Sequence, residues 1–318
     1  MGHGNYSQAA HAALLADRST KADHEVFNQR GCHALMNPRG LKVRESRDSA
    51  DHPASLGIVF ALDVTGSMGV IPRQLASSEL PQFMKLLGAC HIADPQILFM
   101  AIGDAHGDQA PLQVGQFEST AALMDQWLTW SWLEGGGGGN GSESYELGFY
   151  VAAQHTDLDC VNQRSKRGYL FMTGDELPFP VVSRHQVDAL IGETLDEDIP
   201  IEEVIAAAAE NYHLFFLIPD LQRRGRCEKR WRELLGDRVI CMEDPLDTCV
   251  VAAALVGLTE GALADTSAMT AALGEAGLDS QRIGRVVRAV RPYAALLGEP
   301  GTGLSSPATG IAAPARPL

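Results

Sequence analysis

Leu56-Gly57-Ile58-Val59-Phe60-Ala61-Leu62 runs directly into Asp63-Val64-Thr65-Gly66-Ser67-Met68-Gly69. An apolar run of this length, rich in branched side chains, reads as a strand buried on both faces. The turn beyond such a strand lies in the crevice at the carboxyl end of a sheet, where open α/β folds bind ligands. Asp63, Thr65 and Ser67 bring oxygen donors there, a chemistry suited to a hard cation such as Mg2+. The plainer alternative is a strand-to-helix turn in which Thr65 and Ser67 only cap the helix that Pro72 opens.

Outward from this stretch, strands and helices alternate. A helical stripe covers 72–87, with Pro81 placed to kink or split it. A second buried strand follows at 96–102, and a short alternating edge strand at 112–117. Residues 121–133 read as a helix whose Trp127, Trp130 and Trp132 pack the core. Five glycines, 135–139, lead into a helix over 142–155. Later strands are expected at 169–173, 213–218 and 239–242, and helices at 202–212, 226–235 and 248–258. This order predicts an α/β fold with a doubly wound, mostly parallel, Rossmann-like sheet. The right-handed crossover rule puts the first strand at its centre, beside the strand at 169–173.

Four segments follow: an N-terminal arm (1–55), the α/β domain (56–262), a helical extension (263–297) and a tail (298–318) too poor in apolar mass to fold. The arm holds two short helix-like pieces, 9–15 and 24–29, and a basic run, Arg39, Lys42, Arg44 and Arg47. That run lies against the acidic body or serves as a docking segment. The last helix, 279–297, repeats arginine at 282, 285, 288 and 291, and the same two readings, internal docking or partner binding, apply.

With 40 acidic against 25 basic side chains the formal net charge is -15, which opposes nucleic acid and anionic membrane surfaces. No secretory signal or bilayer-spanning stretch is evident, so a cytoplasmic protein is expected. The six cysteines form no Cys-x-x-Cys pair and read as reduced thiols.

The pattern Asp-x-Thr-Gly-Ser-Met after a buried strand closely resembles the first metal-binding segment of von Willebrand factor A (vWA) domains. Their metal-ion-dependent adhesion site (MIDAS) reads Asp-x-Ser-x-Ser, with a threonine and an aspartate from later loops. Asp63, Thr65 and Ser67 match that segment, and the resemblance, to an intracellular bacterial-type member, covers about 56–262. It implies the vWA fold and a divalent cation, most often Mg2+, with Mn2+ or Ca2+ as alternatives. In place of the family threonine the chain offers Asn140, with Ser142 next. Asn140 and Glu143 also have the spacing of a helix capping box. Asp175 corresponds to the second aspartate, displaced by one position because Thr173-Gly174-Asp175 replaces the commoner Thr-Asp-Gly; Glu176 is its neighbour candidate.

Gly103 to Asp108 lie on the same rim. Asp104 is expected behind the ligands, as an acceptor that orients hydroxyls and waters, and Glu143 is placed with it. A second metal at Asp104, His106 and Asp108 is less favoured than a polar loop. No nucleophile elbow, nucleotide-binding lysine motif or paired-histidine metal spacing is present. The resemblance implies a metal-dependent protein-binding module, an adaptor or assembly factor that takes a partner carboxylate through Mg2+, as intracellular relatives often do beside AAA+ ATPases. The alternative is a metal-dependent hydrolase or phosphatase with Asp104 or His106 as base.

Overall fold

The computed structural model describes residues 4–18, 20–135 and 141–298, apart from the side chains of Ser67 and Ser77. Among the described residues, six strands form one sheet: β1 (Ser55–Asp63), β2 (Asp94–Ile102), β3 (Leu112–Val114), β4 (Gly168–Thr173), β5 (Tyr212–Ile218) and β6 (Val239–Cys241). Their spatial order is 3-2-1-4-5-6, parallel except for the antiparallel edge strand β3. That is the doubly wound arrangement, with the chain reversing its direction of travel between β1 and β4. All nine residues of β1 are buried, as a strand covered on both faces requires.

In-register pairing aligns Phe99, Phe60, Phe171 and Phe215 across four neighbouring strands, with centroids 5.4–6.0 Å apart. Phe83 caps this row edge-on at 5.1 Å and Tyr293 at 4.9 Å. These two come from helices on one face of the sheet. α1 (Gln8–Arg18) and α2 (Leu80–Ala89) lie on that side, and α3 (Ala121–Thr129) packs on α1 and β2. The opposite layer holds α4 (Tyr145–Gln154), α5 (Ile201–Asn211) and α6 (Arg224–Leu235), where Trp231 stacks on Phe216 at 3.7 Å. The apolar α7 (Thr248–Thr259) packs on α2, and α8 (Thr266–Glu275) and α9 (Ser280–Gly298) pack on α7.

Four sequence expectations are corrected here. The stripe over 72–87 is divided into a helical turn at Val70–Gln74, a π-helical turn at Leu75–Glu79 and then α2. Pro81 has no N–H to continue the ladder and stands in the first turn of α2, while the amide of Leu80 reaches back to Leu75. The helix placed at 142–155 starts only at Tyr145, because Ser142–Glu143 pairs as a short parallel strand with Leu177–Pro178. The helix expected over 121–133 stops at Thr129. Beyond 261, α8 is an additional helix, capped by the Asp265 carboxylate, which accepts from the amides of Ser267 and Ala268. The expected tail, apart from Gly298 at the end of α9, lies outside the described residues.

The N-terminal arm follows the body. The carbonyl of Met36 accepts from the amide of Val114 beside edge strand β3, and Arg44–Ser46 pairs with Thr156–Leu158. Of the basic run, Arg47 bonds Glu45, Asp157 and Asp159, while Arg39 and Arg44 donate to the carbonyls of Ala189 and Val114.

The arginine stripe of α9 likewise turns inward. Asp247, 2% exposed at its side chain, accepts from Arg282 at 3.0 Å and from Arg285 at 2.7 Å. Arg282 also reaches Glu79 at 2.6 Å, and Arg288 reaches Glu243 at 2.7 Å. Breaking a buried pair leaves uncompensated charge. Asp247→Ala is therefore expected to cost about 3 kcal/mol, read as a lower urea midpoint, with faster amide exchange in α9.

Candidate metal centre

β1 delivers Asp63 as its last residue, paired with Ile102 on one side and one step beyond the Leu62–Thr173 pair on the other. This is the switch point of the sheet, and Asp63 is fully buried there. Oδ1 accepts from the amide of Thr65 at 2.9 Å and from its hydroxyl at 2.6 Å, and Oδ2 accepts from the Tyr145 hydroxyl at 2.6 Å. Burial pushes the Asp63 carboxyl up to about 7, against the lowering effect of these donors and with a further rise from nearby Asp175. The single hydroxyl hydrogen of Thr65 is committed to Asp63, which leaves the oxygen lone pairs available to another group. A 3-10 turn, Gly66–Gly69, then carries the backbone of Ser67 past this point.

Tyr145 opens α4 and is seated edge-on against Phe216 and Trp231. Its ring crosses directly over Gly174, where a Cβ would stand 2.3 Å from the phenolic oxygen. The residue after Thr173 must therefore be glycine, and the carboxylate moves one position on, to Asp175. There it is buried and ion-paired with Arg223, from the loop after β5. Asp175 thus lies close enough to influence Asp63 while its own charge is taken by an arginine. Glu176 is paired with Arg226 at 3.0 Å.

Glu143 does not stand in a helix cap, since it belongs to the short strand beside Leu177–Pro178. It is 4% exposed, and its Oε2 has no hydrogen-bond partner. Burial pushes its carboxyl up to about 9, with Asp63, Asp108 and Asp104 adding to the rise and a contact with Thr65 opposing it. The capping partner proposed for it, Asn140, lies outside the described residues, as does the Ser67 side chain. Ser142 is partly exposed on the same short strand. Thr173 has a buried hydroxyl oxygen with no partner. Glu146, the second residue of α4, is fully buried, and burial holds its carboxyl well above the usual range, against the lowering effect of the backbone amides near it.

Asp104 accepts from the amide of His106 at 2.9 Å, and the Asp108 carboxylate accepts from the amide of Asp104 at 2.8 Å. The His106 ring lies outward, over Phe179 and next to Gln186. Among the described residues no three His, Cys, Asp or Glu side chains form a ready-made cation cage. A centre made from hydroxyls and one carboxylate is a different donor set. Ser144 ties this loop to the start of α4, accepting from the amide of Ala105 at 2.9 Å and donating its own amide to the carbonyl of Gly103 at 3.0 Å.

Sequence reasoning missed Tyr145, Arg223 and Glu146. The inverted Thr-Gly-Asp order was the one available signal, since a glycine there implies that something crosses it.

No protein-family model matches the sequence, and no curated relative matches it. Solved structures with a similar chain path include the pilus adhesin SpaC from Lactobacillus rhamnosus GG, with a TM-score of 0.41 and 9% identity, covering 73% of this chain and 31% of the adhesin. A von Willebrand factor type A protein from Catenulispora acidiphila gives 0.39 and 14% identity, covering 65% and 43%. Proximal thread matrix protein 1 from the mussel byssus gives 0.41 and 9% identity, covering 64% and 47%. The chain thus spans less than half the length of each of these three structures. The fold assignment rests on the strand order and register described above.

The raised carboxyls have a consequence for stability. Folded Asp63 and Glu143 hold protons, to about 7 and about 9, that the unfolded chain releases near 3.8 and 4.5. Their contribution is present below pH 3.8 and lost as pH rises through 7 and 9. Without divalent cations, the melting temperature is expected to include a fall between pH 5 and 9 that Glu143→Gln reduces. A profile unchanged by that substitution contradicts the burial of a titrating carboxyl at 143.

Proposed function

We propose that this chain is a divalent-metal-dependent protein-binding module of the vWA type, acting as a cytoplasmic adaptor or assembly factor. The observation that carries the reading is the Thr65 hydroxyl. Asp63 fixes it by its hydrogen, with Glu143 also in contact with it, at the switch point of the sheet. Around it, the carboxyl groups of Asp63, Glu143, Asp104 and Asp108 converge, while the nearby Arg223 is paired with Asp175. A hard cation fits this oxygen set, and Thr65 and Ser67, oriented through Asp63, with a donor from the 140–144 segment, are the residues that would hold Mg2+.

When bound, such an ion supplies positive charge at the mouth of an otherwise acidic crevice. The chain's own residues do the rest. Asp63 and Tyr145 hold the first segment in one geometry, so little reorganisation is left for binding. The net charge of -15 repels an acidic partner elsewhere on the surface, which makes a partner Asp or Glu dependent on the cation. No helix among the described residues is long and apolar enough to cross a membrane.

A pull-down from native lysate tests the reading. Partner capture by the wild-type chain is expected to be lost with chelator, to return with Mg2+, and to fall at least tenfold in Ser67→Ala. Capture that ignores both changes overturns metal-mediated recognition.

A further inference from the structure

We infer that Glu143 is the carboxylate that binds the cation directly, while Arg223 holds Asp175 out of the metal shell. This rests on the metal-dependent reading above and assigns the ligand set within it.

The three carboxylates nearest the switch point are in different states. Asp63 already serves three donors, the Thr65 amide, the Thr65 hydroxyl and the Tyr145 hydroxyl. A carboxylate so engaged acts by orienting Thr65 and has little capacity left for an ion. Asp175 is committed to Arg223, and its displacement is built into the backbone, because the Tyr145 ring allows no side chain at 174. Moving Asp175 to an ion would strand the Arg223 guanidinium without its partner.

Glu143 differs from both. It is 4% exposed, lies beside Thr65 and Asp63, and among the described residues its Oε2 has no hydrogen-bond partner. The carboxyls of Asp63, Asp104 and Asp108 act on it, and among the described residues no ion pair to an arginine or lysine is formed by it. A buried acceptor among like charges is costly unless it meets a cation. Its strand pairing with Leu177–Pro178 also fixes the backbone at 143, which a direct ligand needs. The 140–144 segment thus contributes a carboxylate where a neutral hydroxyl stands in the sequence pattern that Asp63, Thr65 and Ser67 otherwise follow. With one direct carboxylate the ion keeps about one positive charge, enough to draw an outside carboxylate.

Isothermal titration of the full chain with Mn2+, and separately with Mg2+, tests the assignment. Wild type is expected to bind one ion, Glu143→Gln to bind at least tenfold more weakly, and Asp175→Asn to stay within threefold of wild type. Glu143→Asp, which keeps the charge but withdraws it by one methylene, is expected to weaken binding as well. It also serves as the variant of record if Glu143→Gln does not fold, which circular dichroism reports. Wild-type binding that both position-143 variants retain, or that Asp175→Asn loses, overturns the assignment and leaves the metal-dependent reading standing. No heat from wild type with either ion overturns that reading, and the assignment with it.

Discussion

A carboxylate buried at the end of a completely buried strand is the constraint from which the local structure follows. Asp63 has no access to water, and an unpartnered charge there would cost several kcal/mol. Thr65 and Tyr145 meet it with three hydrogen bonds. Tyr145 reaches it only by crossing position 174, which admits nothing larger than glycine. The neighbouring acid then falls at 175, buried in its turn, and Arg223 answers it. Each residue in this series is the consequence of the one before.

The surrounding layers hold that series in place. The phenylalanine row across β2, β1, β4 and β5 locks the strands in register, so that Asp63 ends level with Ile102 and close to Thr173. On the other face, Trp231 packs on both Phe216 and Tyr145, which couples the phenol to the core. The helical stretch after Asp63–Gly69 is anchored through Glu79 to Arg282 of α9, and Asp247 gathers Arg282 and Arg285 at the same junction. Arg282 and Arg285 are thus spent on acids of the same chain, and the carboxyls of Asp63 and Glu143 remain buried at the mouth of the sheet.

The architecture was largely legible because its signals are local. Continuous apolar runs mark β1, β2 and β4, and the alternation of strands with helices dictates the parallel order. Pro81 announced a break, although the π-helical form of it depends on how Leu80 reaches Leu75. The site was legible only where one segment carries it. Asp63 and Thr65 stand together in seven residues, but Tyr145 meets Asp63 across 82 positions and Arg223 meets Asp175 across 48. Such pairings depend on strand register and helix placement, which periodicity does not encode. Asn140 and Glu143 match the spacing of a capping box, but Glu143 pairs with Pro178 in an extended strand and the helix begins only at Tyr145. The arginines of α9 left two readings open, and acidic residues far away in sequence draw Arg282 and Arg285 into internal docking, while Arg288 stays exposed on Glu243.

The most direct measurement is anomalous diffraction from crystals of the full chain grown with Mn2+. The account predicts one strong peak bounded by the Thr65 and Ser67 hydroxyls and the Glu143 carboxylate, with Tyr145 still on Asp63 and Asp175 still on Arg223. A peak on Asp175 with Glu143 turned away, or no peak at saturating Mn2+, would contradict it.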